Sequence, residues 1–454
     1  MAQKTMIRDL TTGNLAQKLI VFSLPIMLAN FLQTLYNIVD MIFIGRFAGT
    51  DALTGVSIGS DVVQFPFFIN IGLSLACQTI VAQYVGKKQT ETLNKAIGTM
   101  FTLCILVGLI LTVVGICFVN PLLHMLNVQP ATYPHAKAYL IINFIGLFAM
   151  FGYNVASAIL RGMGDSKHPL LFIAIACITN IVLDFVFVVL LHMEAAGSAY
   201  ATIIGQIVAF VFAMRFLYKR REAFHFDFKP SSFKPDPACV RMQLKLGIPT
   251  AIQYATIAIS LIFISSYINS FGIIVTAVTG IGNKLNSVIN VITASLCAAG
   301  AATIGQNLGA GKPERCKRAM GIILAINLAV AIILCIIIIL IPVTIFGIFD
   351  QNPEVLALAP RFVPMAVITF IGFAVRSPLL ALVSGIGFPK LGMSIAITEC
   401  IFSRGILAIL LGITFGMGYY GFWISCSVGG YTTVFFVVPY LISGKWRTRK
   451  LITG

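Results

Sequence analysis

The sequence predicts an all-α polytopic membrane protein, with twelve transmembrane helices in two pseudo-symmetric six-helix lobes. Three observations predict it: twelve apolar runs of spanning length, an uneven split of Lys and Arg between alternate loops, and landmarks that recur about 223 residues apart. Composition sets the class. Of 454 residues, 58% are hydrophobic and 10% charged, against about 25% charged in soluble domains, which excludes an ordinary soluble enzyme, a disordered chain and a small secreted scaffold. A net charge of +16 would point to nucleic acid in a soluble chain. Here the basic residues fall between long apolar runs, so the partner they imply is a lipid surface and no nucleic acid is expected.

A helix needs about 20 mostly apolar residues to cross the hydrocarbon layer. Such runs, separated by Gly, Pro or charge clusters, occupy about 16–44, 52–82, 94–119, 136–159, 170–191, 196–218, 244–270, 276–304, 319–345, 355–383, 390–413 and 418–443. They are too long and continuous for barrel strands, which alternate over about ten residues. With the N-terminus inside, the inner segments collect 24 of the 31 Lys and Arg residues, and the outer loops hold Arg46, Lys137 and Arg361. Both termini are therefore expected in the cytoplasm. Residues 1–15 read as a cytoplasmic segment without a cleavage site, 444–454 as a basic cytoplasmic tail.

A shift of 223 lays Gln83-Tyr84-Val85-Gly86 on Gln306-Asn307-Leu308-Gly309 and Arg161-Gly162-Met163-Gly164 on Ser384-Gly385-Ile386-Gly387. A shift of 224 lays Pro25 on Pro249. The chain thus reads as an N-terminal lobe, 16–218, a cytoplasmic linker, 219–243, and a C-terminal lobe, 244–443. Six helices per lobe give both lobes the same polarity, with a pseudo-two-fold along the membrane normal.

Ionisable groups at membrane depth are costly and usually face a cavity. Asp40 and Asp184 stand out. On the first helix Asn30, Gln33, Asn37 and Asp40 recur at spacings of 3, 4 and 3, which stacks them on one face. The fourth helix adds Tyr139, Asn143, Asn154 and Ser157, the fifth Asn180 and Asp184, and the sixth Ser198, Thr202 and Gln206. These faces must be satisfied inward, because lipid offers polar groups no partners. Two desolvated carboxylates side by side resist being ionised together, so the pair can bind a proton reversibly. The oxygens of Asp40, Asp184, Asn180 and Thr202 can equally wrap a sodium ion. Tyr139, Asn154, Asn37, Gln33 and Gln206 form the expected supporting network, and Pro25 is expected to kink the first helix.

The 223 shift sets Asp40 on Phe263 and Asp184 on Leu407, so the ion site is expected in the first lobe only. A wet face is expected in the second, from Asn283, Ser287 and Asn290 with Glu399, Arg376 and Arg404. Lys284 falls on Asp61, and an interlobe ion pair between them is expected to help close an outer gate. Eight of the ten cysteines lie inside apolar runs, with no CxxC spacing, and read as packing residues. The five histidines, His225 among them, form no HExxH or triad-like set, and no GxxxxGK[ST] loop occurs, so no enzyme, cofactor or further metal site is expected.

The two-times-six pattern, Pro25, Asp40, the Gln83 to Gly86 loop with its echo at Gln306 to Gly309, and Arg161-Gly162-Met163-Gly164-Asp165 followed by Asn180 and Asp184 resemble the multidrug and toxic compound extrusion (MATE) family, in its prokaryotic DinF and MepA-like branch. The resemblance covers roughly 15–443. It implies a monomeric antiporter of the bacterial plasma membrane that expels organic cations or drugs against inward protons or sodium, with Asp40, Asn180, Asp184 and Thr202 at the cation site and Tyr139 and Asn154 around it. The similar NorM branch carries acids on its seventh and tenth helices; here those helices offer Gln253, Tyr254, Thr256 and Arg376, so a second-lobe cation site is not implied. A flippase for lipids or lipid-linked oligosaccharides within the same superfamily is the alternative.

Overall fold

Twelve helices long and apolar enough to cross a membrane run through the computed structural model, which describes residues 8–221 and 226–454. They are α1 (Leu15–Phe47), α2 (Gly49–Lys87), α3 (Thr90–Met125), α4 (Tyr133–Gly162), α5 (Lys167–Leu190), α6 (Glu194–Lys219), α7 (Pro237–Asn269), α8 (Ile273–Gly309), α9 (Pro313–Leu340), α10 (Pro353–Ile386), α11 (Pro389–Thr414) and α12 (Tyr419–Ile442). The first seven residues of the expected N-terminal segment, and His225 within the expected linker, lie outside the described residues.

Proline and glycine set the breaks. Proline opens α7, α9, α10 and α11, where a missing N–H costs nothing. Gly164 (φ +85°) and Gly387 (φ +77°), 223 residues apart, end α4 and α10 in the left-handed region that glycine enters without strain. Several boundaries differ from expectation by five residues or more, and two have a plain local cause. α7 begins at Pro237, inside the stretch read as linker to 243, because Asp236 Oδ1 caps it by accepting the Cys239 N–H at 2.9 Å. α9 ends at Leu340, since Pro342 cannot continue it and opens a separate short helix, Pro342–Gly347.

The chain divides into two compact units. Of the described residues, the first contains 24–221, 226–251 and 8–10; the second contains Ile252–Ile452 with Thr11–Ser23. The divisions fall beside Pro25 in α1 and Pro249 in α7, so both helices contribute to both units.

Within each unit the same contacts recur. α2 packs on α4 and α8 on α10. A Cβ on Gly162 would lie 2.8 Å from Gln78 O and from Val81 Cβ; one on Gly385 would lie 2.9 Å from Ala301 O and 2.8 Å from Ile304 Cβ. Each residue of the second set stands 223 after its counterpart, so the repeat read from loops extends to interior packing. Gly59 and Gly282 continue the correspondence, against Tyr139 Cδ1 at 2.5 Å and Phe362 Cζ at 2.2 Å. At that equivalent place the first unit has a phenol and the second a plain ring.

Large apolar side chains that remain exposed concentrate on α3 (Leu109, Ile110, Val113) and α9 (Ile332, Ile333, Ile336), as expected of faces turned to lipid. The linker is tied to α3: Thr102 Oγ1 donates to Phe233 O at 2.7 Å and Thr99 Oγ1 accepts from the Asp236 N–H at 3.0 Å.

Candidate functional site

α1 turns Tyr36 and Asp40, four residues apart, into the first unit, where Asp40 is 7% exposed. Opposite it, α5 carries Asn180 and Asp184, both buried, with Asp184 fully so. α6 can approach α5 here because position 205 is glycine; a Cβ would lie 3.0 Å from Ala176 O and 3.5 Å from Asn180 Cβ. That approach brings Thr202 to Asn180. With the Asn180 amide oriented to satisfy both neighbours, its nitrogen donates to Asp184 Oδ2 at 3.2 Å and its oxygen accepts the Thr202 N–H at 3.2 Å. Immediately after Asp184 the helix widens into a π-turn, Phe185–Leu190, a form that recurs at functional sites.

Ser198 of α6 and Asp184 are the polar groups acting on the Asp40 carboxyl. Yet Oδ1 of Asp40, Oδ1 of Asp184 and the Ser198 hydroxyl are enclosed without a hydrogen-bond partner. No ion pair to either acid occurs among the described residues. Two acids thus share a buried pocket with acceptor positions that no protein donor fills, an arrangement able to take up a proton or a small hard cation. Tyr139 closes one side, its hydroxyl 3.1 Å from Ser60 Oγ and its ring seated against Gly59.

The expected network is only partly assembled around the acids. Gln33 is half-buried beside Tyr36. Asn37 is exposed. On a helical wheel it lies about 60° round from Asp40, away from Tyr36, so the 3-4-3 stripe is wider than the buried face. Asn154 turns back to its own helix, donating to Met150 O at 2.8 Å, and Gln206 Oε1 is enclosed without a partner. Asp61 is exposed on α2; Lys284 is exposed on α8 with its ammonium 5.2 Å from the Phe349 ring centroid. Sequence reading left out Tyr36 and Ser60, and named Ser198 as part of the polar face of the sixth helix without placing it at the site. Tyr36 and Ser60 carry no pattern of their own, whereas the four-residue spacing of Ser198, Thr202 and Gln206 had marked that face.

The expected wet face of the second unit separates into two features. Asn283, Ser287 and Asn290 are exposed along α8. Arg376 and Glu399 are instead joined in a buried ion-pair cluster with Arg404. A cavity of about 1290 Å³ lies elsewhere, under the linker, lined by Lys95, Arg221, Lys229 and Lys234 among others; none of its lining residues belongs to the acid pocket.

The family model described as MatE matches residues 25–186 and 249–414, two segments whose starts lie at the two equivalent prolines. The chain belongs to the MatE family. It is accordingly a multi-pass membrane transporter and not an enzyme, as the resemblance implied. Relatives agree. It is 34% identical over 309 residues, 68% of each chain, to the probable multidrug resistance protein YpnP of Bacillus subtilis. It is 24% identical over 96% of its length, and 94% of the relative's, to the probable multidrug resistance protein NorM of Thermotoga maritima. Among solved structures, its fold matches an outward-facing multidrug resistance MATE family transporter of the MOP superfamily, with a TM-score of 0.90 at 19% identity over 99% of this chain and all of that one. A MATE structure in the straight conformation matches over the same spans with a TM-score of 0.89 at 20% identity.

Proposed function

We propose that this MatE-family chain is an ion-coupled multidrug antiporter of the bacterial plasma membrane, exporting organic, mostly cationic compounds by alternating access. Asp40 and Asp184 exchange a proton or a sodium ion for substrate, with Asn180 and Thr202 completing the oxygen shell. The chain works as a monomer with both termini in the cytoplasm. The observation that carries the reading is the pair of buried carboxyls on facing helices with unfilled acceptor positions. A purely structural pair would be expected to have those positions filled, because an enclosed unsatisfied oxygen costs about 1–3 kcal/mol.

The chemistry follows from that cost. A proton placed between the acids supplies the missing donor and cancels one charge; a sodium ion does the same by direct ligation to oxygen. Either load favours a closed pocket, and its departure favours an open one, so the load biases two conformations. α1 can transmit the change. Pro25 deprives Val21 O of its helical donor, which leaves a flexible point fifteen residues before Asp40. Support for drugs as cargo comes from relatives named probable multidrug resistance proteins.

The test uses vesicles loaded with ethidium and reconstituted with purified protein. Efflux is measured under a proton gradient alone and a sodium gradient alone. The wild type should respond to one of them, and Asp40→Asn with Asp184→Asn should abolish the response while leaving the elution profile in detergent unchanged. Undiminished gradient-driven efflux by the double variant would end the reading.

A further inference from the structure

The second unit buries charge of its own. Glu399 is fully buried and meets two arginines: Arg404 Nη2 at 2.6 Å from Oε1 and Arg376 Nη1 at 3.2 Å from Oε2. Their 223-shift counterparts are Ala176, Ile181 and Tyr153, so the cluster belongs to this half alone. Backbone geometry builds it. Glu399 and Arg404 lie five residues apart, which an α-helix would splay by about 140°, but they sit in a π-helical stretch, Glu399–Leu407, whose i→i+5 turns bring them onto one side. Gly429 of α12 makes room: a Cβ there would lie 3.1 Å from Glu399 Oε1.

Two guanidiniums and one carboxylate leave one positive charge over. Among the described residues no second acid pairs with either arginine. Arg404 is the enclosed member, donating to Ser260 Oγ at 2.8 Å, with Nε shut away and unpartnered. Arg376 is the accessible one. Its side chain is 11% exposed, and among the described residues its one hydrogen bond is from Nη1 to Glu399. Nε and Nη2 form one guanidinium edge that makes no hydrogen bond to the described residues, the fork that receives a carboxylate or phosphate in two parallel hydrogen bonds. Tyr254 and Cys297 lie close to Arg376 and give the position an aromatic and an apolar neighbour.

We infer that Arg376, held by Glu399 and backed by Arg404, is a binding site in the second unit for an anionic oxygen group, a carboxylate or phosphate carried on an aromatic or amphipathic molecule. Glu399 is a positioning residue: it orients Arg376 and leaves the cluster one negative charge short. Cargo with both a cationic and an anionic group, or an anionic lipid headgroup, meets that need. The inference is independent of ion exchange at Asp40 and Asp184 and is read by equilibrium binding, so either can fail alone.

The experiment compares tetramethylrhodamine, with a free carboxylate, and its methyl ester, by fluorescence polarisation on the purified full-length protein in phosphatidylcholine nanodiscs. Wild type should bind the acid about tenfold more tightly than the ester, the worth of a charge-assisted pair. Arg376→Gln should erase that preference without weakening the ester. Glu399→Gln should move the preference the other way, strengthening acid binding, so a failure of one variant to fold leaves a reading from the other. Equal binding of acid and ester by wild type, or parallel loss of both in Arg376→Gln with no gain in Glu399→Gln, would overturn the inference. Adding phosphatidylglycerol separates the sources: competition with the acid in wild type and not in Arg376→Gln assigns the site to a headgroup, and no competition assigns it to a soluble molecule.

Discussion

Asp184→Asn separates a working pocket from a structural one, because the two readings predict opposite signs for stability. The substitution keeps the side-chain volume at a fully buried position and removes one of two neighbouring acids. In the wild type Oδ1 of Asp184 and Oδ1 of Asp40 are both enclosed without donors, each costing about 1–3 kcal/mol. An amide at 184 brings an N–H toward Asp40 and still accepts from Asn180 through its oxygen. The expected result is a protein as stable as wild type or more stable by about 1–3 kcal/mol, whose gradient-driven ethidium efflux falls to the level of empty vesicles. Thermal unfolding in detergent, followed by the fluorescence of Trp423 and Trp446, reads the first quantity and vesicle efflux the second. A lower melting temperature, with efflux lost only in proportion to unfolded protein, would refute the reasoning and make the acid a scaffold element.

Three further outcomes are expected. Gly59→Ala and Gly282→Ala should each cost about 1–3 kcal/mol by pushing Tyr139 and Phe362 from their seats, but only Gly59→Ala should reduce efflux per folded molecule, as vesicle assays normalised to protein would show. Asn327→Leu should raise the thermal midpoint, because Asn327 is fully buried in α9 with neither amide atom bonded. Asp165, at the start of α5, pairs with the His168 ring and accepts the Lys167 N–H at 3.0 Å. Burial pushes its carboxyl up, but the hydrogen bond and charge of His168 outweigh this and hold it below its usual value. A depressed acid stabilises the fold above its unfolded pKa of about 3.9 and loses that contribution as pH falls through the folded value, so Asp165→Asn should destabilise at pH 7 and converge with wild type in acid.

The fold was legible because a membrane simplifies the code: every backbone group must be bonded within its own helix, so run length, proline and glycine placement and loop charge carry nearly all the information. Two of the boundaries that moved, Pro237 and Leu340, lie where a capping aspartate and a proline overrode the apolar run. Asp40, Asn180, Asp184 and Thr202 were findable as polar groups in apolar surroundings. Asn37 is exposed where Asp40 is buried, because spacing gives direction only to within a quarter turn. Ser60 was missed, because a serine in a membrane helix more often bonds back to its own backbone. The Arg376, Glu399 and Arg404 cluster was visible as three charges but not as a cluster, since its assembly depends on a π-helical stretch that no residue pattern announces.

The membership of Leu15 and Leu19 has a consequence for biogenesis. Both are buried in the apolar cluster that includes Leu296, Met320, Leu382 and Trp446, although α1 leaves the ribosome before any of those partners. At about 5–20 residues per second, the last of those partners emerges some 20–90 s later. Until then this stretch of α1 must rest against acyl chains or the insertion machinery, and a chain released early would present the membrane with an unfinished seam for other nascent helices to occupy.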